Sequence, residues 1–210
     1  MDVLVAGGNG STGYRVVRRL ADAPHRPAAM IRSADQRSRF EEIGVETVVA
    51  DLEEELGHAV AGRDAVVFCA GSGAETSLRK TRDVDRDGAM RLVDAAAEAG
   101  LDRFVMLSSM GADPDAEGGG MNVYYRCKGI ADDHLRGSAL DHVIVRPGRL
   151  TEEPGRGRIA AARELGRRGS IPRDDVAEVL VRSLTLGNLT GRTFELLEGD
   201  TPIEEALAGL

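Results

Sequence analysis

The stretch Val3-Leu4-Val5-Ala6-Gly7-Gly8-Asn9-Gly10-Ser11-Thr12-Gly13 decides the fold. Its apolar start reads as a short strand and its glycines as a turn. Thr12–Ala21 reads as a helix, because Val16, Val17 and Leu20 fall on one face. Gly7, Gly8, Gly10 and Gly13 satisfy two spacings at once, G-x-G-x-x-G from Gly8 and G-x-x-G-x-x-G from Gly7. A phosphate brought against backbone at a helix N-terminus meets free N–H groups and the positive end of the helix dipole, and glycine leaves it room. With 26 glycines in 210 residues the spacing alone arises by chance with a probability on the order of 0.3. Its place between a first strand and a first helix is what gives it weight. Asn9, Ser11 and Thr12 add polar groups to the same turn, where Ser11 or Thr12 would equally serve as a helix cap.

Outward from this turn the same pattern repeats. Further apolar runs lie at Ala28–Ile31, Val45–Ala50, Ala65–Ala70, Arg103–Leu107, His142–Val145 and Thr193–Leu197. Most lack alternation, as strands covered on both faces do. A helix is expected over Asp87–Ala99 with Met90, Val93 and Ala97 on its inner face, stopped by Gly100. Ser33-x-x-Gln36 and Thr201-Pro202-x-Glu204 read as capping boxes. Strands alternating with helices imply an α/β fold with a parallel sheet, and no repeat or linker divides residues 1–210, so one domain is expected. Two polar stretches, Asp113–Asn122 and Thr151–Gly157, follow strand ends and read as mobile loops lining a substrate pocket.

Composition excludes several functions. Twenty-seven basic against 35 acidic residues give a net charge of −8, a poor match to nucleic acid or an anionic membrane. The apolar run Ala65–Ala70 is far too short to span a bilayer, and Asp2 after Met1 gives no secretory leader. Cys69 and Cys127 form no disulfide framework or zinc pattern, and His25, His58, His134 and His142 have no ligand spacing. A cytoplasmic protein without a metal site is the expectation, acting on a small molecule.

Residues after the second and third strands bear on the nucleotide. An NAD site places an acid about 20 residues beyond the glycine loop. Here Arg32-Ser33 stand nineteen residues or so past Gly13, which suits a 2′-phosphate and so NADP rather than NAD. Arg32 would otherwise be surface charge and Ser33 a cap. Asp51-Leu52 closes the third strand, where an adenine edge could be read, although Asp51 would also cap with Glu54. Ala70-Gly71-Ser72-Gly73 gives backbone room beside a cofactor, or a plain flexible turn.

Tyr124 and Lys128 form Tyr-x-x-x-Lys, one helical turn apart on one face. With three tyrosines and two lysines in the chain, such a match is expected by chance roughly 0.03 times. All other basic residues but Lys80 are arginine, so a lysine here suggests a need for a compact ammonium. A solvated helix face carrying a half-buried tyrosine pair is the plainer alternative. Ser108-Ser109 ends the fifth strand and could orient a carbonyl, or be ordinary loop serines.

These residues resemble the atypical short-chain dehydrogenase/reductases of the YhfK-like kind, related to biliverdin reductase B and NmrA-like proteins. The likeness runs from Val5–Gly13 through Asp51-Leu52, Phe104–Ser109, Tyr124–Lys128, Val145–Thr151 and Asp174–Ala177 to Phe194–Ile203. It implies a Rossmann-like, doubly wound, mostly parallel sheet with helices on both faces, and a dinucleotide cofactor, with Pro147-Gly148 facing the nicotinamide. Carried over by position, Ser109 would orient the carbonyl, Tyr124 donate the proton, and Lys128 hold the ribose. Ser108 and Tyr125 are adjacent alternatives. The implied activity is NADP-dependent hydride transfer to a small carbonyl, quinone or flavin-like substrate. A non-catalytic NADP(H) sensor of the NmrA-like kind is the alternative, though a sensor has no need of a proton donor. Only 62 residues follow Gly148, too few for a separate sugar-binding domain of an epimerase.

Overall fold

The computed structural model describes residues 1–73 and 77–210. Chain order gives β1 (Asp2–Ala6), β2 (Arg26–Ile31), β3 (Glu46–Val49), β4 (Ala65–Phe68), β5 (Arg103–Leu107) and β6 (Asp141–Pro147). Three strands without a sequence signal follow, β7 (Arg149–Thr151), β8 (Arg158–Ala162) and β9 (Ser170–Pro172), then β10 (Arg192–Glu198) and the short β11 (Thr201–Pro202). The helices are α1 (Ser11–Ala21), α2 (Ser38–Glu41), α3 (Gly57–Val60), α4 (Leu78–Thr81), α5 (Ala89–Glu98), α6 (Met121–Gly137), α7 (Arg173–Arg182) and α8 (Ile203–Ala208). A π-helical segment, Arg82–Gly88, joins α4 to α5.

Nine strands form one sheet in the order β11-β8-β10-β6-β5-β4-β1-β2-β3. From β3 to β10 every pairing is parallel, and at one edge β8 is reversed, pairing antiparallel with both β10 and β11. This is the Rossmann-like, doubly wound arrangement. Strand order reverses between β1 and β4, so a crevice opens at their carboxyl ends. The missing alternation now has its reason. Val3 and Val5 of β1 pack with Val16, Val17 and Leu20 of α1 and Val176 of α7, while Leu4 and Ala6 pack with Leu92 and Val93 of α5 and Leu135 of α6. Both faces of β1 are therefore apolar and covered.

Several local expectations are corrected. The segment Arg158-Ile159-Ala160-Ala161-Ala162, to which the sequence assigned no element, pairs as β8 with Glu195–Glu198. The helix expected over Asp87–Ala99 is the end of a longer helical run, and its buried face is Ala89, Leu92, Val93 and Ala96 rather than Met90, Val93 and Ala97. The wider π turns before it rotate the register. Gly100 does stop it, at φ +71°, with Gly100 and Leu101 N–H groups bonded back to Ala97 and Ala96. Neither capping box forms. Thr201 lies in β11 and Pro202 occupies the cap of α8, so the helix begins a residue late. Ser33 precedes only a single 3₁₀ turn, its hydroxyl donating to the Asp35 carboxylate, and Gln36 Oε1 accepts the Arg32 N–H at 3.1 Å.

Candidate active site

The glycine turn is built as the phosphate argument requires. Gly7 has φ +77°, and a Cβ there would stand 2.6 Å from Ala70 backbone at the end of β4. A Cβ on Gly13 would stand 2.1 Å from the Gly7 carbonyl, so only glycine lets α1 start this close to the turn. Gly10, not Ser11 or Thr12, is the N-cap of α1, and no side chain caps its first turn. The donors at the start of this 11-residue helix thus have no side-chain cap among the described residues. Arg39, which the sequence gave no reason to single out, braces the turn. It donates to Asn9 O and Oδ1 at 3.0 and 3.1 Å and lies 3.5 Å over the Tyr14 ring.

Two cavities meet at this turn, sharing Gly10, Cys69, Ala70, Gly71 and Ser72. The smaller, about 280 Å³, runs over the ends of β2 and β3 and is lined by Gly7, Asn9, Arg32, Asp51 and Leu52. Arg32 is exposed and has no carboxylate within ion-pair distance among the described residues. Ser33 falls outside the lining, its hydroxyl turned to Asp35. Asp51 Oδ1 accepts the Glu53 N–H at 3.0 Å, a turn contact rather than a helix cap. Lys80 at the rim is paired with Glu53.

The larger cavity, about 1660 Å³, crosses the ends of β4, β5 and β6. Ser11 and Thr12 line it at the glycine turn, Pro147 and Gly148 on the opposite side. Ser108, Ser109, Tyr124, Tyr125 and Lys128 all reach it. Gly13 is buried beneath, in a packing position. Of the two expected lining loops, residues of Asp113–Asn122 contribute, and that loop is tied down: Asp113 N–H bonds Tyr125 O at 3.1 Å and Arg126 Nε bonds Ala116 O at 2.7 Å. Thr151–Gly157 does not line the cavity. Buried Asp175 at the start of α7 holds it elsewhere, accepting the Arg156 and Gly157 N–H groups at 2.9 and 2.8 Å. The connection from β8 to β9 takes its place, with Arg163, Glu164 and Gly166–Gly169 on the lining.

Adjacent candidates differ in their surroundings. Ser108 is buried and donates to Asp132 Oδ2 at 2.8 Å, whereas Ser109 is half-buried and makes only a 3.2 Å bond to Met110 O. Tyr125 packs its ring against Gly111, and Tyr124 is the tyrosine beside Lys128, whose ammonium lies 5.8 Å from the ring centre. Lys128 is 3% exposed and its Nζ stands 3.1 Å from Asp85 Oδ1. Burial pulls the Lys128 pKa down, but Asp85, Tyr124 and Asp132 outweigh it and the net shift is upward. Asp85 sits on the π segment, where the widened turn brings it inward, and its Oδ2 accepts the Ser72 N–H at 2.9 Å.

Asp132, fully buried one turn beyond Lys128, completes the network. Besides Ser108 it receives Arg146 Nε and Nη2 at 2.9 and 2.8 Å on the same oxygen, and Oδ1 has no hydrogen-bond partner among the described residues. Burial pushes its pKa up against the pull of Arg146 and Ser108. Asp85, Asp132, Arg146 and Arg173 were all missed by the sequence reading. Asp132 alone had a signal, since Tyr124, Lys128 and Asp132 are spaced four apart along one face of α6. Arg173 bonds Thr12 Oγ1 at 3.0 Å and so reaches the glycine turn from α7.

A family model described as NAD(P)H-binding matches residues 7–186. The chain belongs to that NAD(P)H-binding family. It is 44% identical over 215 residues to the uncharacterized sugar epimerase YhfK of Bacillus subtilis (strain 168), with 100% of both chains covered. A solved structure from Bacillus halodurans, provisionally an NAD-dependent epimerase/dehydratase, matches with a TM-score of 0.95 at 41% identity over 100% of each chain. The oxidoreductase ylbE from Lactococcus lactis matches with a TM-score of 0.87 at 30% identity, covering 100% of this chain and 96% of that one. No described helix is long and apolar enough to cross a membrane.

Proposed function

We propose that this member of the family is an NADP-dependent oxidoreductase acting on a small carbonyl, quinone or flavin-like substrate. The observation that carries the reading is the convergence of Ser109, Tyr124 and Lys128 on one cavity that opens from the glycine turn. The turn fits a dinucleotide: Gly7 and Gly13 stand where any Cβ would clash, and the first turn of α1 offers uncapped donors. Bound NADPH supplies a hydride. Thr12 and the N–H groups of α1 hold the pyrophosphate, and Arg32 takes the 2′-phosphate without help from Ser33, whose hydroxyl serves Asp35. Lys128 has three donors; one is directed at Asp85 and one at Leu107 O, 3.5 Å away, which leaves one for a ribose hydroxyl.

At the reacting end, Ser109 donates a hydrogen bond to the substrate oxygen and Tyr124 delivers the proton as charge builds there. Ser108 is unsuited to the first role because its one hydroxyl proton is committed to Asp132. The test is Tyr124→Phe, measured as NADPH oxidation against a panel of carbonyls, quinones and flavins. NADP affinity should hold while turnover falls about 10²-fold or more. Wild-type turnover in Tyr124→Phe with loss in Tyr125→Phe moves the role by one residue. No NADPH oxidation by the unaltered protein with any acceptor overturns the enzymatic reading in favour of a sensor.

A further inference from the structure

The larger cavity is cationic at one wall, in a chain whose net charge is −8. Arg149 on β7 and Arg163, Arg167 and Arg168 on the β8–β9 connection all line it and are all exposed. Among the described residues none of the four lies within ion-pair distance of a carboxylate: three of the four acidic residues on the lining are engaged elsewhere, and Glu164, on the same connection, makes no ion pair. Asp85 is paired with Lys128, and Glu195 Oε2 accepts the Leu165 N–H at 2.7 Å. Other exposed arginines also lack an acid partner among the described residues, Arg18, Arg37 and Arg192 among them; what sets these four apart is that they share the lining of one cavity.

The arm is held in place at its base. The Arg149 N–H bonds Gly169 O at 3.0 Å, β7 pairs with β9 from Arg149–Ser170 to Thr151–Pro172, and a Cβ on Gly148 would stand 2.4 Å from Gly169 O. Glu195 anchors the middle through Leu165. The four guanidinium groups are thus carried on backbone fixed against Gly148, and they line the larger cavity but not the smaller one that holds Arg32. They are not placed to serve a cofactor phosphate held at Arg32.

We infer that the acceptor carries an anionic tail, a carboxylate or phosphate, which the arm of Arg149, Arg163, Arg167 and Arg168 holds while its reducible end lies at Tyr124. This rests on reading the cavity as the site of hydride transfer. Guanidinium groups bind carboxylate and phosphate oxygens through paired, charge-assisted hydrogen bonds, and a cluster of them adds a field that draws anions in.

Flavin mononucleotide and riboflavin make a matched probe, sharing one ring system and differing by a phosphate. Binding of each is measured by flavin fluorescence with the protein saturated in NADP⁺, so no turnover is needed and the cofactor site is filled. Flavin mononucleotide should bind about tenfold or more tightly than riboflavin, and the advantage should shrink as salt rises. In the triple variant R163Q/R167Q/R168Q the advantage should vanish while riboflavin and NADP⁺ affinities and the unfolding midpoint stay as they were. Equal binding of the two flavins, absence of flavin mononucleotide binding, or an advantage that survives in the triple variant overturns the inference. None of these results bears on whether Tyr124 and NADPH reduce an acceptor, which the turnover panel decides separately.

Discussion

Replacing Asp85 by Asn removes the nearest charge that lets Lys128 stay inside the protein. The ammonium and carboxylate are 3.1 Å apart and almost fully shielded, with side-chain exposures of 4% and 1%. At an effective dielectric of about 20, charges at that separation attract by about 5 kcal/mol, and breaking a buried pair by removing one partner costs about 3–5 kcal/mol. Asn keeps an oxygen for the Ser72 N–H, so the loss isolates the charge. Asp85→Asn should therefore be destabilised by about 3–5 kcal/mol at pH 7, read by urea unfolding.

The pH dependence gives the sharper test. In the native protein burial lowers the Lys128 pKa, but Asp85, Tyr124 and Asp132 raise it further than burial lowers it. A cation with a raised folded pKa contributes stability that is fully present below its ordinary value of 10.5 and lost as pH rises through the folded value. The native pair thus contributes a constant amount through neutral and mildly alkaline pH. In Asp85→Asn burial should prevail, dropping the folded pKa below 10.5, so the variant gains stability on approaching that pH by up to about 1.4 kcal/mol per pH unit. The deficit should be largest near neutrality and shrink toward pH 10. Adding Lys128→Met to the variant should recover most of the loss, because the uncompensated charge goes with it. A deficit under about 1 kcal/mol at neutral pH, or one that does not change with pH, would show that Asp85 is not what holds the charged Lys128 inside the protein.

Two further outcomes follow from the cofactor end. Arg32 is exposed, so its contact with a 2′-phosphate is worth about 1–2 kcal/mol rather than the value of a buried one, and Arg32→Ala should weaken NADP binding about 5- to 30-fold in calorimetric titration while NAD binding hardly changes. Parallel losses for both cofactors would leave Arg32 as surface charge. Burial pushes the Cys69 thiol, on the lining of both cavities, from 9.0 up to about 12, so at pH 8 its thiolate fraction should be about 10³-fold below that of the unfolded chain. Iodoacetamide should label it slowly until urea is added, and equally fast labelling of the folded protein would contradict that environment.

The parallel sheet was legible because each of its central strands carries its own local code. Runs such as Ala65–Phe68 and Phe104–Leu107 are apolar at every position, which only a doubly covered strand requires, and the glycines at 7, 10 and 13 mark the one βα turn where backbone must come close. The edge was not legible. Arg158–Ala162 has no strand propensity of its own and is a strand only because β10 and β11 flank it, a relation between segments more than thirty residues apart. Ser33 was misread for a related reason: a capping box presumes a helix long enough to cap, and Ala34–Gln36 is a single turn.

The chemistry-bearing residues divide along the same line. Tyr124, Lys128 and Asp132 lie on one face of α6, and the helix is fixed at that face by several independent contacts. A Cβ on Gly129 would stand 2.3 Å from Pro114 backbone, Asp132 bonds Ser108 and Arg146 at the ends of β5 and β6, and Lys128 meets Asp85 on the π segment. Such positioning survives changes in exposed loops, and its spacing shows in the sequence because one regular helix carries it. Recognition of the acceptor falls instead to arginines on a connection between two short strands, where nothing periodic exists to read. What marks that segment is a physical excess, four cations unpaired among the described residues beside one cavity of an acidic protein. That excess becomes visible only when the fold shows which charges share a wall.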